Sequence, residues 1–567
     1  MTTTSGHRAA ESAEDELLLR VLSALLREDT VGLRTRSTPL RRTDGLWLRL
    51  PVTPAPTGGA LLLPVADDGF QCEYAARLPL LESEPDGALL TGLDRVIGAL
   101  GDLADPQDRG GFVAFAAECR QTLATMRLQA DAAGPVRERL AATYGADPAE
   151  WTGWAASLAF DTLAAYRDHP VYPTARGRVA LGEDQLRGYA PEFHPAFELR
   201  WAAVPRADVT PPVPGVSDGW PAPGDLGLPH LDDSHLTLPV HPLTFRYLPE
   251  QAVRAEASRI GVVPTLSMRT VALADDPAVH LKLPLPTATL GLRNRRTVKA
   301  GTFEDGATTE RLLRTVLDRE PRFRGRILLA DEQQHLHAGH ELLAVLRRRY
   351  PPGLDGAVIV PLAALLAEGP GGRRVVDRLA DRFFGGDVPA LFDAFLTLLI
   401  DWQTTLFTYG IALESHQQNI SLILDQVSGR PRARLLLKDN DGPRINPHRL
   451  KDAIGFVPGF TDRRTFTDGD KPLADLFTTI TVHLCAAAFA FGLPEHRDRI
   501  LGLVRDRLDA MAGPRLRAHV LDAARLPVKA MVTAGTLLSK ERSGAADINK
   551  HYTTGPNYLR RPDGGRP

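Results

Sequence analysis

The run Glu414-Ser415-His416-Gln417-Gln418-Asn419 is followed by Ile420-Ser421-Leu422-Ile423-Leu424 and then by Arg434-Leu435-Leu436-Leu437-Lys438-Asp439-Asn440-Asp441-Gly442. Two short apolar runs separated by turn-forming residues 425–431 predict an antiparallel hairpin. In such a hairpin the start of the first strand lies beside the end of the second. We therefore expect Asn419 and Asp439 to meet at the open end, with Glu414, His416 and Lys438 nearby.

This predicted cluster has the composition of a magnesium and anion site. Mg²⁺ usually takes one or two carboxylates and shares its other positions with phosphate and water. Imidazole and ammonium groups beside such oxygens suit an anionic substrate. A polar loop before a hairpin is ordinarily only a solvated turn, but here six polar side chains directly precede two buried strands. The sequence therefore favours a functional site.

Length and composition limit the class of protein. A chain of 567 residues is too long for one core, so two to four domains are expected. A net charge of -2 gives no electrostatic reason to expect nucleic acid or a membrane as partner. Cys72, Cys119 and Cys485 are isolated and odd in number, which argues against a disulfide framework and a zinc cluster. Since residues 1–15 show no signal-peptide pattern, a cytoplasmic location is expected.

Periodicity gives a coarse map of the chain. Residues 11–28 have helical spacing, residues 47–51 and 60–65 read as strands, and residues 89–167 are almost wholly helical. Residues 310–410 are predicted to be mainly helical, and the apolar run 478–493 is predicted to be a buried helix rather than a membrane span. The tail, residues 539–567, is polar and its end is expected to be mobile.

A second dense region covers residues 264–297. Two alternating runs joined at Asp275-Asp276-Pro277 predict a strand pair from which Arg269 and Lys282 project. A lysine among leucines is costly unless it meets an anion, so a phosphate partner is inferred, with Arg293, Arg295 and Arg296 adding positive charge. There is no Walker sequence and no Rossmann glycine triplet. The alternative is a cationic strand pair that faces solvent.

The segment 168–178 combines prolines with cations. Its prolines break the preceding helix, and His169, Arg176 and Arg178 stand together in irregular backbone. Guanidinium groups bind carboxylates and phosphates through paired hydrogen bonds. The segment therefore suits an acid-binding role, although arginines in a loop are usually solvated surface.

Together, Ser267-Met268-Arg269-Thr270, Lys282, the 414–419 run and Lys438-Asp439 resemble the NRPS-independent siderophore (NIS) synthetases, the aerobactin synthetase (IucA/IucC) family. The resemblance runs from about residue 169 to 529. It implies an α+β, multidomain, hand-like fold. Residues 1–167 would form a helical thumb with a small sheet, 168–390 a fingers domain with the β-sheet that binds ATP, and 391–567 a mainly helical, kinase-reminiscent palm with a mobile tail.

The resemblance also implies an activity. Family members use ATP and Mg²⁺ to adenylate a carboxylic acid, commonly citrate, and pass the acyl group to an amine or hydroxyl, releasing pyrophosphate and AMP. The implied partners are these small molecules, and a homodimer is expected by resemblance only.

The family's site residues carry over by position. The resemblance implies ATP contacts for Ser267, Arg269, Thr270, Lys282, His416, Asn419 and Asp439. It implies Mg²⁺ contacts for Glu414, Gln418 and Asp439, and catalytic roles for Lys282, Arg269 and His416. It implies acid contacts for His169, Arg176, Arg178 and the cluster Arg293, Arg295 and Arg296, in which the matching arginine is open.

The chain departs from the family pattern in three places. It has Tyr172-Pro173 where a second His-Pro is common, Arg176 where Lys is common, and Lys438-Asp439 where Arg-Asp is common. Exchanging Arg and Lys changes the hydrogen-bond geometry through which the side chain binds an anion. The departures bear on which acid is bound more than on ATP binding.

Two rival functions remain at this point. A kinase-like phosphotransferase also places its magnesium ligands by His-x-x-Asn, a hairpin and then Asp, but the kinase glycine loop and the His-Arg-Asp and Asp-Phe-Gly signatures are missing. A non-catalytic binding or scaffold protein would not need the lysine, acids and amides together. The nucleotide product, AMP or ADP, separates the two enzymes.

Overall fold

Helices pack against β-sheets throughout the computed structural model, which describes residues 3–52, 59–210, 215–544 and 551–560. The predicted mixture of helix and sheet is therefore confirmed. The division at residues 167 and 390 stays a prediction. One sheet takes strands from both sides of residue 390, as described below.

The amino-terminal region is a long helix, a sheet and a helical layer. The first helix buries Leu18, Val21, Leu22 and Leu25, whose spacing places them on one face. The predicted helix and strands are confirmed, and the helix begins at Thr3. The helices are α1 (Thr3–Arg27), α2 (Leu93–Asp102), α3 (Arg109–Tyr144) and α4 (Gly153–Ala165). The strands are β1 (Thr38–Arg42), β2 (Gly45–Pro51), β3 (Ala60–Asp67), β4 (Tyr74–Ala76), β5 (Leu80–Glu84) and β6 (Ala88–Thr91).

The middle of the chain forms the largest sheet, with the strand order β10-β7-β11-β12-β13-β16-β15-β8 and with β9 also paired to β7. Its strands are β7 (Phe197–Pro205), β8 (Val209–Thr210), β9 (His235–Val240), β10 (Val253–Arg254), β11 (Arg259–Pro264), β12 (Thr270–Leu273), β13 (Val279–Lys282), β15 (Asp331–Ala338) and β16 (Ala344–Arg349). Two further strands, β14 (Ile327–Leu329) and β17 (Val358–Pro361), belong to the next sheet. The helices here are α5 (Glu183–Tyr189), α6 (Pro242–Phe245) and α7 (Thr302–Arg319).

The prediction that residues 310–410 are mainly helical is wrong between residues 327 and 361, where β14 to β17 lie. Val358, Ile359 and Val360 are almost completely buried, so their strand shows an apolar run with no alternation to identify it. Short apolar runs cannot be assigned to helix or strand by period alone.

The carboxyl-terminal region surrounds the predicted hairpin with helices. The helices are α8 (Val375–Phe384), α9 (Val388–Thr408), α10 (Pro447–Ile454), α11 (Lys471–Gly492), α12 (Arg497–Met511), α13 (Pro514–Arg517) and α14 (Lys540–Ser543). The strands are β18 (Ile411–Ala412), β19 (Ile420–Val427), β20 (Arg430–Leu437), β21 (Arg444–Ile445), β22 (Arg525–Lys529) and β23 (Tyr552–Pro556).

The hairpin is confirmed as β19 and β20, which pair from Ile420 with Leu437 to Val427 with Arg430. Ser428 and Gly429 form the two-residue turn, both with positive φ, as a tight hairpin turn with the native twist requires. The hairpin lies inside the four-stranded sheet β14-β20-β19-β17, in which β14 runs parallel to β20. Strands on both sides hold the hairpin, so the position of its open end is well defined.

The segment that follows β22, just before the tail, returns to the amino-terminal region. Glu28, at the end of α1, accepts hydrogen bonds from the backbone N–H groups of Val532 (2.9 Å) and Thr533 (2.8 Å). Residues 552–556 form β23 on β22, which the polar composition of the tail had not indicated. The predicted mobile end, residues 561–567, lies outside the described residues.

Among the residues that the structure describes, two helices, α9 and α11, are long and apolar enough to cross a membrane by length and composition. Their most apolar windows are 72% and 100% buried within the protein, as in core helices of soluble proteins. The prediction that residues 478–493 form a buried helix is confirmed up to Gly492, where α11 ends.

Replacing Gly111 by alanine is expected to destabilise the fold, because a Cβ at this position would lie 1.9 Å from the carbonyl oxygen of Leu537. The new methyl group would force helix α3 away from the segment after residue 533, at a cost of about 1–3 kcal/mol. Gly110→Ala in the same helix is the matched control, since nothing lies within 4 Å of its Cβ position. Thermal unfolding should show a lower Tm for Gly111→Ala alone. Equal Tm values would contradict this packing.

Candidate active site

Lys282 joins the large sheet to the open end of the hairpin. It is the last residue of β13, is 1% exposed, and pairs in register with Thr270 on β12. Its Nζ donates to Asp439 and to Asp441 Oδ2, the latter at 3.0 Å. Residues more than 150 positions apart are thus brought into one cluster, named here the Lys282 clamp (Lys282, Asp439 and Asp441).

Cations around Asp439 keep it ionised. Burial favours its neutral form, but Lys282, Arg348 and Arg269 outweigh burial and hold the pKa of Asp439 far below its ordinary value. The residue also has φ of 61°, in the left-handed region that aspartate and asparagine tolerate better than most residues. Asp439 is therefore an ionised carboxylate on a turn whose backbone is in the left-handed region.

A buried ion pair supports this turn from behind. Arg348 Nε lies 2.5 Å from Glu332 Oε1, and both side chains are 3% exposed. Glu332 also accepts hydrogen bonds from the backbone N–H groups of Asp439 (2.8 Å) and Asn440 (3.4 Å). One carboxylate thereby accepts from the Arg348 Nε–H and from two backbone amides, which fixes the turn that carries Asp439.

The run 414–419 forms a loop that lies against the hairpin. Asn419 accepts a hydrogen bond at its carbonyl from the N–H of Lys438 (3.1 Å), so the predicted meeting of the two strand ends is confirmed. The loop is anchored on α11, because the Cys485 thiol donates to the carbonyl of Ser415 (3.2 Å) and Gln417 donates to that of Leu484 (2.5 Å). Gln418 is half-buried in this loop.

His416 is a neutral hydrogen-bond donor in this loop. Burial lowers its pKa from the ordinary value, despite the opposing effect of Glu414 and Asp439. Its Nδ1 accepts a hydrogen bond from the N–H of Gln418 at 3.3 Å, so the proton of the neutral ring is on Nε2.

Glu414 faces a second lysine. Its Oε1 lies 3.2 Å from Nζ of Lys529, on β22. Burial alone would raise the pKa of Glu414, but Lys529, Arg444 and His416 lower it below the ordinary value. A Cβ on Gly442 would be 3.2 Å from Glu414 Oε2, so this carboxylate lies beside the turn that follows Asp441.

Residues 265–270, named here the phosphate loop after their predicted role, connect β11 to β12. Met268 has φ of 63°, and Ser267 Oγ accepts a hydrogen bond from the N–H of Thr270 at 3.1 Å. Arg269 donates to the carbonyls of Arg296 (3.4 Å) and Thr297 (3.5 Å). The loop therefore folds back beside β13, and its arginine lies close to the clamp.

The structure separates the arginines that the sequence grouped together. Burial, together with Arg269 and Arg178, lowers the pKa of Arg296 to about 9, whereas Asp439 and Asp441 act in the opposite direction. These three guanidinium groups therefore form one electropositive cluster beside the clamp, which suits an anionic ligand.

The other predicted acid-binding arginines have protein partners. Arg295 is 65% exposed at its side chain and pairs with Glu341 at 3.0 Å. Arg293 donates to the carbonyl of Ala534 at 2.6 Å. Arg176 donates to Asp168 at 2.6 Å and to Gln129 at 3.0 Å. Their predicted contact with the acid stays a prediction.

His169 lies near His416. Burial lowers its pKa to about 3, with further contributions from His416, Arg27 and Lys529. Its Nδ1 accepts hydrogen bonds from the N–H groups of Val171 (3.3 Å) and Tyr172 (3.1 Å), which places its proton on Nε2. Two neutral imidazoles thus present Nε2–H donors in the same region.

The predicted residues that lie in this region are His169, Arg178, Ser267, Arg269, Thr270, Lys282, Arg296, Glu414, His416, Gln418, Asn419 and Asp439. Sequence reasoning assigned no role to Asp441, Glu332, Arg348 or Lys529. Asp441 stood in the quoted run, whereas Arg348 is the middle of three consecutive arginines, 347–349, which gave no local signal to single it out. Their partners come from distant strands, which periodicity does not reveal.

Comparison with known proteins supports the resemblance to the siderophore synthetases. The model of the IucA / IucC family matches residues 157–367, and that of the ferric iron reductase FhuF-like transporter matches residues 390–538. Staphyloferrin B synthase of Staphylococcus aureus is 24% identical over 459 residues, 70% of this chain and 76% of that protein. The chain spans about half the length, 53%, of two further curated relatives that it matches.

Solved structures share the fold. The petrobactin biosynthesis protein AsbB of Bacillus anthracis superimposes with a TM-score of 0.74 at 15% identity, over 97% of this chain and 95% of that one. ATP-bound aerobactin synthetase IucA of Klebsiella pneumoniae superimposes with a TM-score of 0.65 at 17% identity, over 96% and 99%. The match of the IucA / IucC family model to residues 157–367 and the similarity to staphyloferrin B synthase identify the chain as a member of the NRPS-independent siderophore synthetases of the IucA/IucC family.

Proposed function

We propose that this protein uses ATP to adenylate a carboxylic acid and condenses the acyl group with an amine or hydroxyl in siderophore synthesis. The observation that carries the proposal is the Lys282 clamp, in which a buried ammonium and two carboxylates lie beside a cluster of three arginines. Such an arrangement suits a polyphosphate and a carboxylate held side by side. The ATP-bound state of the similar aerobactin synthetase IucA supports ATP as the nucleotide.

In this proposal the phosphate loop and Lys282 receive the ATP phosphates. Ser267, Arg269 and Thr270 lie on one short turn beside β13, so hydroxyl, guanidinium and ammonium donors lie close together. Preorganised donors of this kind stabilise the charge that develops on the departing pyrophosphate. Asn419 and His416, which lie at the hairpin's open end, would contact the nucleotide.

The donor set also fits Mg²⁺. In residues 3–52, 59–210, 215–544 and 551–560, no three His, Cys, Asp or Glu side chains converge as an all-protein metal site. Mg²⁺ in nucleotide sites takes only one or two carboxylates, and Asp439 and Asp441 already converge on one cation, Lys282. Asp439 and Asp441 would hold the ion, with Glu414 and Gln418 as the further predicted ligands. When bound, the ion would neutralise phosphate charge.

The acid would bind beside the arginine cluster. Arg178, Arg269 and Arg296 supply positive charge, and His169 supplies an Nε2–H donor. The acid's carboxylate oxygen would attack the α-phosphorus, forming the acyl–O–P bond as the bond to pyrophosphate breaks. The amine or hydroxyl would then attack the acyl carbon and displace AMP. His416, neutral with its proton on Nε2, would donate a hydrogen bond to the reacting oxygens.

Citrate is the first acid to test. A cytoplasmic location is expected, and a homodimer remains a prediction.

Pyrophosphate release in the presence of ATP, Mg²⁺ and an acid tests this proposal. We expect release that depends on the acid, and a hydroxamate when hydroxylamine is added, since hydroxylamine traps an acyl adenylate. Citrate, 2-oxoglutarate and succinate should be compared, with reactions lacking acid as the control. ADP in place of AMP would favour a phosphotransferase instead, and no release with any acid would contradict the proposed acids.

A further inference from the structure

Helix α3 turns a polar face toward residues 168–178, named here the acid segment after their predicted role. Glu118, Gln121 and Thr122 lie three or four positions apart, so they share one face of the helix. Thr122 Oγ1 donates to the carbonyl of Thr174 (3.3 Å), and Gln121 donates to the carbonyl of Arg178. Side chains of α3 therefore hold the irregular backbone of the acid segment.

Glu118 is the centre of this polar face. Its Oε1 accepts hydrogen bonds from the hydroxyl groups of Tyr172 (2.9 Å) and Thr174, and its Oε2 accepts one from Thr536 (2.9 Å). Glu118 is 6% exposed, and Tyr172 and Thr536 are buried with it. Three hydroxyl donors, from two separate segments, thus stabilise a buried carboxylate.

The third donor, Thr536, belongs to the segment that holds the start of the arginine run 293–296. Its Oγ1 accepts a hydrogen bond from the N–H of Leu292 (3.4 Å). Arg293 donates to the carbonyl of Ala534 at 2.6 Å. The Thr536 hydroxyl therefore links Glu118 to the backbone directly before the arginine run.

The acid segment and the arginine run are also joined directly. The carbonyl of Val179, which follows Arg178, accepts a hydrogen bond from Thr287 Oγ1 (2.8 Å). The carbonyl of Thr287 in turn accepts one from the N–H of Arg296 (2.9 Å). Arg178 and Arg296, two of the arginines proposed to bind the acid, therefore lie on neighbouring backbone segments.

These contacts form a closed ring that begins and ends at Glu118. One side passes through Tyr172 and Thr174 to Arg178, and the other passes through Thr536 to the arginine run. Most of the backbone in both segments belongs to no helix or strand. Its spacing therefore depends on side-chain hydrogen bonds of this kind.

We propose that Glu118 is a positioning residue for the acid: its two carboxylate oxygens hold the acid segment and the segment of Thr536 together, and so set the spacing between Arg178 and Arg296. The inference rests on the proposed function, in which these arginines receive the acid. Glu118 acts through the two segments and does not touch the acid itself.

The steady-state kinetics of acid-dependent pyrophosphate release test this role, with whichever of citrate, 2-oxoglutarate and succinate the wild type uses. We expect Glu118→Gln, which keeps the shape but removes one acceptor oxygen, to raise the KM for the acid about tenfold. The KM for ATP should change by less than about twofold, because Glu118 holds the acid segment and the arginine run rather than the Lys282 clamp. Thr536→Val, which removes the linking hydroxyl, should have the same effect.

A double variant and a matched control sharpen the test. The double variant should be no worse than the more impaired single variant, since both changes break one interaction. Glu138→Gln, at an exposed position on the same helix, should leave both KM values unchanged. A lower Tm for Glu118→Gln with a normal acid KM would show a structural role alone and would overturn the inference.

The outcomes separate this inference from the proposed function. If the wild type releases no pyrophosphate with any of the three acids, the proposed function fails for them and this inference fails with it. If the wild type is active and Glu118→Gln has a normal acid KM, only the positioning role is overturned. Equal rises in the KM for the acid and for ATP, or additive effects in the double variant, would also overturn it. Should Glu118→Gln not fold, Thr536→Val decides, because a normal acid KM in that variant contradicts the link through its hydroxyl.

Discussion

Replacing Lys282 by methionine is expected to lower acid-dependent pyrophosphate release by about 10²–10³-fold, the usual effect of removing one preorganised donor from a developing charge. Methionine keeps the length of the side chain and removes its charge. Lys282 is the buried cation of the clamp, and no other lysine contacts Asp439 or Asp441 among the ion pairs of the described chain. The variant therefore loses the ammonium proposed to meet the ATP phosphates.

The same variant should remain folded. The carboxylates left behind, Asp439 and Asp441, keep side-chain exposures of 25% and 32%, so water can solvate them. The stability lost should thus be well below the about 3–5 kcal/mol expected when a fully buried charge is left alone. Thermal unfolding checks this point. Lys299→Met, at an exposed position, is the matched control, and a Lys282→Met rate near that of the control would refute the role of Lys282.

Replacing Asp439 by asparagine is expected to reduce pyrophosphate release by about 10²-fold or more and to raise the Mg²⁺ concentration needed for half-maximal rate. Asparagine is the informative replacement because it tolerates the left-handed φ of 61°, whereas alanine would add backbone strain. The amide retains the shape of the carboxylate but loses its charge. Excess Mg²⁺ should recover part of the lost rate.

The free energy of unfolding should fall by different amounts in Lys282→Met and in Asp439→Asn. In Asp439→Asn the group left short of a partner is Lys282, whose side chain is 2% exposed, so this variant should lose more stability than Lys282→Met. Asp441, at 3.0 Å, limits the loss. Asp452→Asn, at an exposed position, serves as the control for the asparagine change. An unchanged Mg²⁺ dependence in Asp439→Asn would exclude Asp439 as a ligand of the ion.

The sequence predicted elements best where local pattern and burial agree. The hairpin of β19 and β20 was recognisable because two apolar runs flank turn residues, and its open end could be inferred from antiparallel pairing alone. The strands β14 to β17 were missed. The apolar runs of β14 and β17 are too short to show a period, and their pairing partners are the hairpin strands far along the chain. The polar start of β15 and the three arginines of β16 gave no clear strand alternation.

The sequence predicted what kind of site this would be, but it did not predict which residues contact one another there. Cations and acids amid apolar residues indicated an anion site at Lys282 and Asp439, because burying a charge is costly without a partner. The sequence did not indicate that Arg296, rather than Arg293 or Arg295, lies in the electropositive cluster. That separation depends on Glu341 and Ala534, which contact the other two arginines.

Local sequence alone therefore determined the hairpin, the buried helices, the polar run before β19 and the family resemblance, since these depend on residue order and period. Tertiary structure alone determined the clamp of Lys282 with Asp439 and Asp441 and its support from Glu332 and Arg348. The physical reason is that a buried charge is stabilised by whichever opposite charge the fold brings within a few ångströms. That partner can lie more than 150 residues away, where no local pattern records it.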